Sequence, residues 1–510
     1  MSSSVYLFSI LRVPEFIADD YYIFYLVQSH PSSIVSLNFD DKYLLFLRPV
    51  AYFFFWAQYH LFASNAFQMK LCSLLFGQMY VIAAITAAKY VVRFFHGTSS
   101  NTILLFAGLF ISLHPDTLMS ILWISDVNEV LMSLFYALAL VVFFAFRRDD
   151  LHSPSLAISL LVILYILSLS SKQQSMHLPL LFLFLLWAFR DKFNLQKSRT
   201  LLLASLICLI VFVVALILNV KMYLLYPSDD SISIVSQLAK KPFSLLGDMA
   251  IIFFPWGGSG IYDYFIQNRL FALLLFMLIA LLSVAFLSRW KSYTTHVFRT
   301  ILFVTIVFVP RIIAPGGDRL NTVHVFLMVT LFLVLLHGVP RLALVVLCGL
   351  VIGAVAGSVA KVSLLEDTVR NHEALCESLN SLDKKEKRIK YVAYFSGRIP
   401  TSHSYYFYEH NTFGEDTLLM HSGLVVGDYR DWLYIPRDVR CSIANDTLTI
   451  ESNVSQTDIY WDHDFHPLIL QKEKGKIRGF SRIRLLVPEM VYRKKVLYLA
   501  PMDSTWRALR

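Results

Sequence analysis

A succession of apolar runs, most of them near the length that crosses a bilayer as helix, constrains this chain more than any other feature. Helical spans need about 17–25 predominantly apolar residues. Such runs stand at 71–92, 101–113 continuing obliquely, 129–146, 155–170, 174–189, 200–224, 269–288, 299–313, 320–337 and 341–360. With 56% hydrophobic residues among 510 and a mean hydropathy of +0.58, the composition excludes an ordinary water-soluble domain. The expected fold is a polytopic all-α membrane protein of about 11 transmembrane helices, with a small β-containing C-terminal domain. A further apolar stretch, 43–62, carries Arg48-Pro49 and the polar Gln58, Tyr59 and His60, and is expected to lie along the membrane surface.

Sidedness follows from the basic residues, because short cytoplasmic loops collect Lys and Arg. Arg93, then Arg147-Arg148, then Arg190, Lys192, Lys197 and Arg199, then Arg289, Lys291 and Arg299, then Arg341 fall on every second loop. The alternate loops carry Asp19-Asp20, 114–126, 171–173, 225–268 and 315–321, and are expected to face a periplasm or lumen. A bacterial inner membrane with a periplasmic site is the expected location, with the ER membrane as the alternative. The net charge of +9 is largely this topology signal, so no nucleic-acid partner is expected. Only 18 residues precede the acid pair, interrupted by Arg12, Pro14 and Glu15; either the first span is short or the chain start is incomplete. No signal-peptide pattern is evident.

The composition changes after residue 361, which divides the chain into a membrane domain at 1–361 and an extracytoplasmic domain at 362–510. Alternating aromatic and β-branched residues at 391–395, 447–451 and 496–500 read as strands, preceded by a helix near 363–380. Cys72, Cys208 and Cys348 read as packing residues inside spans, whereas Cys376 and Cys441 lie in the tail, where a disulfide between them is one possibility. Asn445 and Asn453 begin glycosylation sequons by pattern.

Ionised groups beside hydrocarbon are costly and usually mark function. Asp19-Asp20 is the first such group: one carboxylate can accept a proton from an attacking hydroxyl while its neighbour orients a group, although an acid pair is commonly no more than a solvated loop start. Arg48 offers a forked donor suited to carboxylate or phosphate, and Pro49 fixes the backbone after it. His114-Pro115 ends an apolar run and opens a polar turn containing Asp116, as if the chain broke at membrane depth and lined a cavity; a helix-end histidine is the plainer reading. Lys172-Gln173 and Asp318-Arg319 sit in two turns on the same expected face. Their cations would suit a lipid phosphate or serve as interfacial anchors. The stretch 461–466 has metal-ligand residue types but no recognised spacing, and there is no Walker loop or Rossmann fingerprint, so a soluble nucleotide is not the expected donor.

In order along residues 10–340, these elements resemble the C-type glycosyltransferases that use polyprenyl-phosphate sugars, closest in style to the protein O-mannosyltransferases and the transmembrane O-mannosyltransferases with tetratricopeptide repeats. The resemblance rests on 16–21 with Asp19-Asp20, Arg48-Pro49 with 59–62, His114-Pro115 through Trp123-Ile124-Ser125, Ser171-Lys172-Gln173 with 178–180, Phe254-Pro255, and Asp318-Arg319. It implies a catalytic Asp20 with Asp19 as partner, and a donor phosphate held by Lys172, Arg319 and Arg48. His114, Asp116, Gln173 and Asp318 would line the substrate cavity. The implied partners are a polyprenyl-phosphate sugar donor, a glycan, glycolipid or protein acceptor, and the bilayer. No cofactor is implied, and a divalent metal remains compatible. The chain departs from the pattern at Met119, Val127 and Gln173, where Glu, Arg and an acid are expected, and it carries no helical repeat array. A transporter or flippase of a lipid-linked substrate is the main rival, and an assembly protein the third reading.

Overall fold

The computed structural model describes residues 2–14, 20, 27, 48–63, 65–225, 252, 306, 322–383, 391–394, 424–426, 439–444, 447–452, 456–460, 468–474, 478–486, 496–502 and 505–508. The expected span 269–288 lies outside these residues, as does 299–313 apart from residue 306, and so do Asp19, Asp318, Arg319, Asn445, Asn453 and 461–466. The chain divides into two compact units, one of residues 1–10 and 30–359 and a second of 11–29 and 360–510.

Helices dominate the first unit. They are α1 (Ser2–Arg12), which crosses the unit boundary, α2 (Pro49–Phe62), α3 (Ala66–His96), α4 (Asn101–Leu113), α5 (Pro115–Leu122), α6 (Val127–Arg147), α7 (Pro154–Ser171), α8 (Leu178–Ala188), α9 (Leu195–Leu225), α10 (Thr322–Leu335) and the start of α11 (Pro340–Asp383). Among the described residues, five helices are long and apolar enough to cross a membrane, or six if the bent pair α4–α5 is one span. Their packing is that of a protein in lipid: α9 exposes Leu203, Ile210, Val214 and Ile217 while Lys70, His114, Glu129 and Lys172 are buried, the reverse of the usual preference in water. α6 lies at the centre, with 72% of its most apolar stretch buried, and α9 at the periphery, with 22%.

The sequence explains the helix ends. Asn65 caps α3 by accepting the Gln68 N–H at 3.0 Å, and Ser153 caps α7 ahead of Pro154, a proline position that needs no N–H. Gly97 ends α3 at φ 77°, a left-handed conformation in which glycine has no Cβ to clash. Close approach matters midway along α3, where a Cβ on Gly77 would collide with Ile121 of α5.

The break predicted at His114-Pro115 is a 49° bend between α4 and α5. Proline cannot continue the hydrogen-bond ladder, and carbonyls freed in a bilayer must find protein partners. Tyr6 donates its hydroxyl hydrogen to the Ser112 carbonyl, and Ser358 donates to the Leu113 carbonyl at 2.7 Å. Two of the last carbonyls of α4 are thereby satisfied.

Basic side chains gather at one end of the bundle, where they terminate helix carbonyls. Arg147 donates to the Lys192 carbonyl at 3.2 and 3.0 Å, Lys192 to the carbonyls of Phe94 and Phe95 at 3.1 and 3.3 Å, and Lys197 to the Arg147 carbonyl at 2.8 Å. Arg147 also lies over the Phe94 ring at 5.0 Å. Cations here complement the negative ends of α3 and α6. In the exposed turn beyond α6, a hydrogen bond from Lys197 holds the Asp149 carboxyl below the usual carboxylate range.

In the second unit, Arg12 makes a two-pronged pair with Glu366, its Nε donating to Oε1 at 2.7 Å. The helix expected near 363–380 is the continuation of α11, which runs from Pro340 to Asp383 without interruption. No Gly or Pro occurs between 358 and 383 to stop it. The described strands are β1 (Tyr391–Tyr394), β2 (Leu424–Val426), β3 (Val439–Ala444), β4 (Thr447–Ser452), β5 (Gln456–Tyr460), β6 (Leu468–Lys474), β7 (Arg478–Leu486), β8 (Val496–Met502) and β9 (Thr505–Ala508). One sheet has the order β1-β8-β9; in the other, β2-β5-β7-β4-β3, β6 also pairs with β7. Glu451 and Arg482 face each other across β4 and β7 with an ion pair of 3.2 Å.

Candidate functional site

The link between α7 and α8 gathers the charged groups of the first unit. α7 ends at Ser171, and Lys172 leaves it with extended backbone, φ −159° and ψ 140°, before the 3-10 turn Gln173–His177. The side chains of Lys172 and Gln173 part company there. Lys172 turns inward, its Nζ 2.6 Å from Oε1 of Glu129 in the first turn of α6, with the two side chains 7% and 0% exposed. Gln173 instead accepts a hydrogen bond from Nε of Arg48 at 3.3 Å, and Arg48 is the residue that precedes α2. Asp126, buried in the 3-10 turn Ile124–Asp126, stands three residues before Glu129 and so on the same side of the helix start.

Opposing forces act on Lys172. Burial pushes its ammonium below the ordinary lysine pKa, Glu129 and then Asp126 pull it back up, and the Arg48 guanidinium pushes down again. Two cations and two carboxylates therefore act on one another in a region largely screened from water. Such groups are held only where paired.

An apolar groove of about 290 Å³ meets this cluster, among the described residues, at Gln173 alone. Pro49 of α2, Ile166 and Leu169 of α7, and Ile210 and Val214 of α9 form its apolar walls, and Ser170 and Gln173 are its polar lining. The sequence places the groove for a simple reason: α7 and α9 are mostly apolar, and the polar groups that line the groove, Ser170 and Gln173, come only where α7 ends.

Deeper in the bundle, His114 caps α5. Its Nδ1 accepts the Asp116 N–H at 3.2 Å, so the ring proton is on Nε2, which donates to the Ile252 carbonyl at 3.2 Å. Asp116 Oδ2 lies 3.9 Å from the same Nδ1. Tyr80 donates to the Thr322 carbonyl at 2.8 Å, and Ser120 bonds both the Asp116 carbonyl and the Thr322 hydroxyl. His177 donates from Nδ1 to the Gln174 carbonyl at 2.8 Å and accepts from the Tyr136 hydroxyl at 2.9 Å. The His324 ring lies 6.3 Å from that of His177.

Of the residues predicted from sequence, Arg48, Lys172 and Gln173 come together, and His114 and Asp116 form a separate pair. Asp20 is fully buried and belongs to the second unit; Asp19, Asp318 and Arg319 are outside the described residues. Sequence reasoning missed Glu129, Asp126, Lys70, His177 and His324. Each is an ionisable residue next to or within an apolar run, and that was the available signal. Gln173, where an acid is expected, is suited by its amide oxygen to accept from Arg48 without adding charge. Among the described residues, no three His, Cys, Asp or Glu side chains are grouped as a metal ion requires. Cys72, Cys208 and Cys348 are free thiols; the side chains of Cys376 and Cys441 lie outside the described ones. No protein-family model matches the chain, and no curated protein matches it.

Proposed function

We propose that this protein is an integral membrane glycosyltransferase of the C-type, with about 11 spans, that moves a sugar from a polyprenyl-phosphate carrier to a glycan, glycolipid or protein acceptor. The observation that carries the reading is the apolar groove lined in part by Gln173, which accepts from Arg48 and follows Lys172 in the chain. A polyprenyl chain needs a lipid-facing apolar groove and its phosphate needs cations at the end of it; guanidinium and ammonium groups make stronger hydrogen bonds to phosphate than neutral donors do.

In the proposed reaction an acceptor hydroxyl oxygen attacks the anomeric carbon and the sugar–phosphate bond breaks on the opposite face, so configuration inverts. The electron pair leaves on the phosphate oxygen, where Lys172, Arg48 and Arg319 stabilise it. The hydroxyl proton passes to Asp20, oriented by Asp19. His114, Asp116, Gln173 and Asp318 would line the sugar cavity, and no metal step is needed. The polar end would face the periplasm or ER lumen, together with a β-containing domain at 362–510 that positions the acceptor.

The test is transfer from a synthetic polyprenyl-phosphate sugar by the purified full chain. Asp20→Asn is expected to lower it at least about a hundredfold, the usual scale of general acid–base catalysis, with protein yield unchanged. Transfer at the parental rate would overturn the assignment of the base. Buried polar groups reaching the middle of α3 and α6, Tyr80 and Tyr136 among them, favour a second reading, a transporter of a lipid-linked substrate, because transporter sites lie near the bilayer midplane. Movement of the lipid across liposomes without sugar transfer would establish that one.

A further inference from the structure

Glu129 takes no part in the reaction as proposed, yet it is the fully buried partner of Lys172. The ammonium is turned inward to this carboxylate, while the neighbouring residue, Gln173, faces the groove and Arg48. A lysine bound to a carboxylate at 2.6 Å has its strongest site already filled by an anion. A phosphate reaching the groove's polar end must then compete for it, and four rotatable side-chain bonds let the ammonium cross to the groove side. Asp126 keeps a second negative charge near the place the ammonium would leave.

We infer that Glu129 is the resident counter-ion of Lys172: it holds the ammonium and yields it to the anionic phosphate of a lipid whose chain lies in the groove. The inference rests on the lipid-phosphate reading above. Glu129 is a positioning residue, acting through Lys172 and touching no substrate. Its affinity for the lysine sets how tightly the phosphate is held, so that product phosphate is also released when the carboxylate recovers its partner.

The experiment measures binding of a synthetic polyprenyl phosphate and of inorganic phosphate to the detergent-purified full chain. Glu129→Gln removes the competitor and is expected to tighten polyprenyl-phosphate binding by about tenfold, the scale of one charge-assisted hydrogen bond. It should slow release of the lipid in the same proportion. Inorganic phosphate, without a chain for the groove, is expected to bind weakly to every form. In case Glu129→Gln does not fold, the exchange Glu129→Lys with Lys172→Glu keeps an ion pair but moves the cation to α6. It is expected to restore yield and thermal stability while binding polyprenyl phosphate at least tenfold more weakly than the parent.

A Glu129→Gln protein that binds no tighter overturns the counter-ion role while leaving the lipid-phosphate reading in place; an exchanged protein that binds as the parent does overturns the counter-ion role and the placing of the phosphate on Lys172 as well. A parent protein that does not bind polyprenyl phosphate, or that binds inorganic phosphate equally well, overturns both.

Discussion

Arg147, Lys192 and Lys197 at the basic end of the first unit and Lys172 and Arg48 at the polar end are cations in similar numbers, but their partners differ. At the basic end the partners are chiefly backbone carbonyls at helix ends and the faces of Phe94 and Phe95, with the exposed Asp149 carboxylate added at Lys197. The carbonyls and rings belong to the fold and cannot be withdrawn, so the cations there join helices together. At the polar end the partners are the side chains of Glu129 and Gln173, which can be exchanged for a ligand. A cation tied to backbone is architecture; one tied to a side chain beside an open groove is available for chemistry.

The largest expected effect comes from breaking the polar end. Lys172→Met leaves Glu129 buried without its cation and is expected to cost about 3–5 kcal/mol of stability, read as loss of thermal stability in detergent. Lys172→Met combined with Glu129→Leu, which removes both charges, is expected to recover most of that loss without restoring any lipid binding. If the double variant is no more stable than the single one, the cost lies in packing and the two ends differ less than their partners suggest.

Lys192→Met, at the basic end, is expected to cost about 1–2 kcal/mol, the net value of one or two ordinary hydrogen bonds, because the carbonyls of Phe94 and Phe95 sit at a helix end. A loss as large as that of Lys172→Met would erase the comparison.

Asp149→Asn should have the smallest effect, since its pair with Lys197 is exposed on the carboxylate side. The folded carboxyl titrates below its unfolded value, so whatever the pair contributes is present above the unfolded pKa and fades as pH falls through the folded one. The melting temperatures of parent and variant should therefore differ slightly near neutrality and converge as pH falls through the folded value, which lies under the ordinary Asp value. A gap that widens in acid would mean that the carboxylate is not held by Lys197.

Much of the membrane fold was legible because bilayer length and apolar composition identify a span without knowledge of its neighbours: α3, α6, α7 and α9 begin and end close to where the runs do, with turn residues such as Asn65, Gly97 and Ser153 at the margins. The bend at His114 was legible for the same local reason, a proline after an apolar run. Partners were not. Nothing local tells Lys172 that its carboxylate lies 43 residues earlier, at the start of α6, and Glu129 in sequence resembles any acid in the first turn of a helix. Lys70, His177 and His324 were passed over likewise, each hidden singly in a hydrophobic stretch. Asp19-Asp20 stood out as a pair by adjacency alone, which says nothing of what surrounds Asp20.

The most direct measurement is the affinity of the purified full chain for a synthetic polyprenyl phosphate, compared across the parent, Lys172→Met and Lys192→Met, with folding of each verified by size-exclusion chromatography. The polar end is the phosphate site if Lys172→Met weakens binding by roughly 10- to 100-fold, the value of a charge-assisted contact, while Lys192→Met binds as the parent does. Equal affinity in all three proteins would contradict it, as would a loss confined to Lys192→Met.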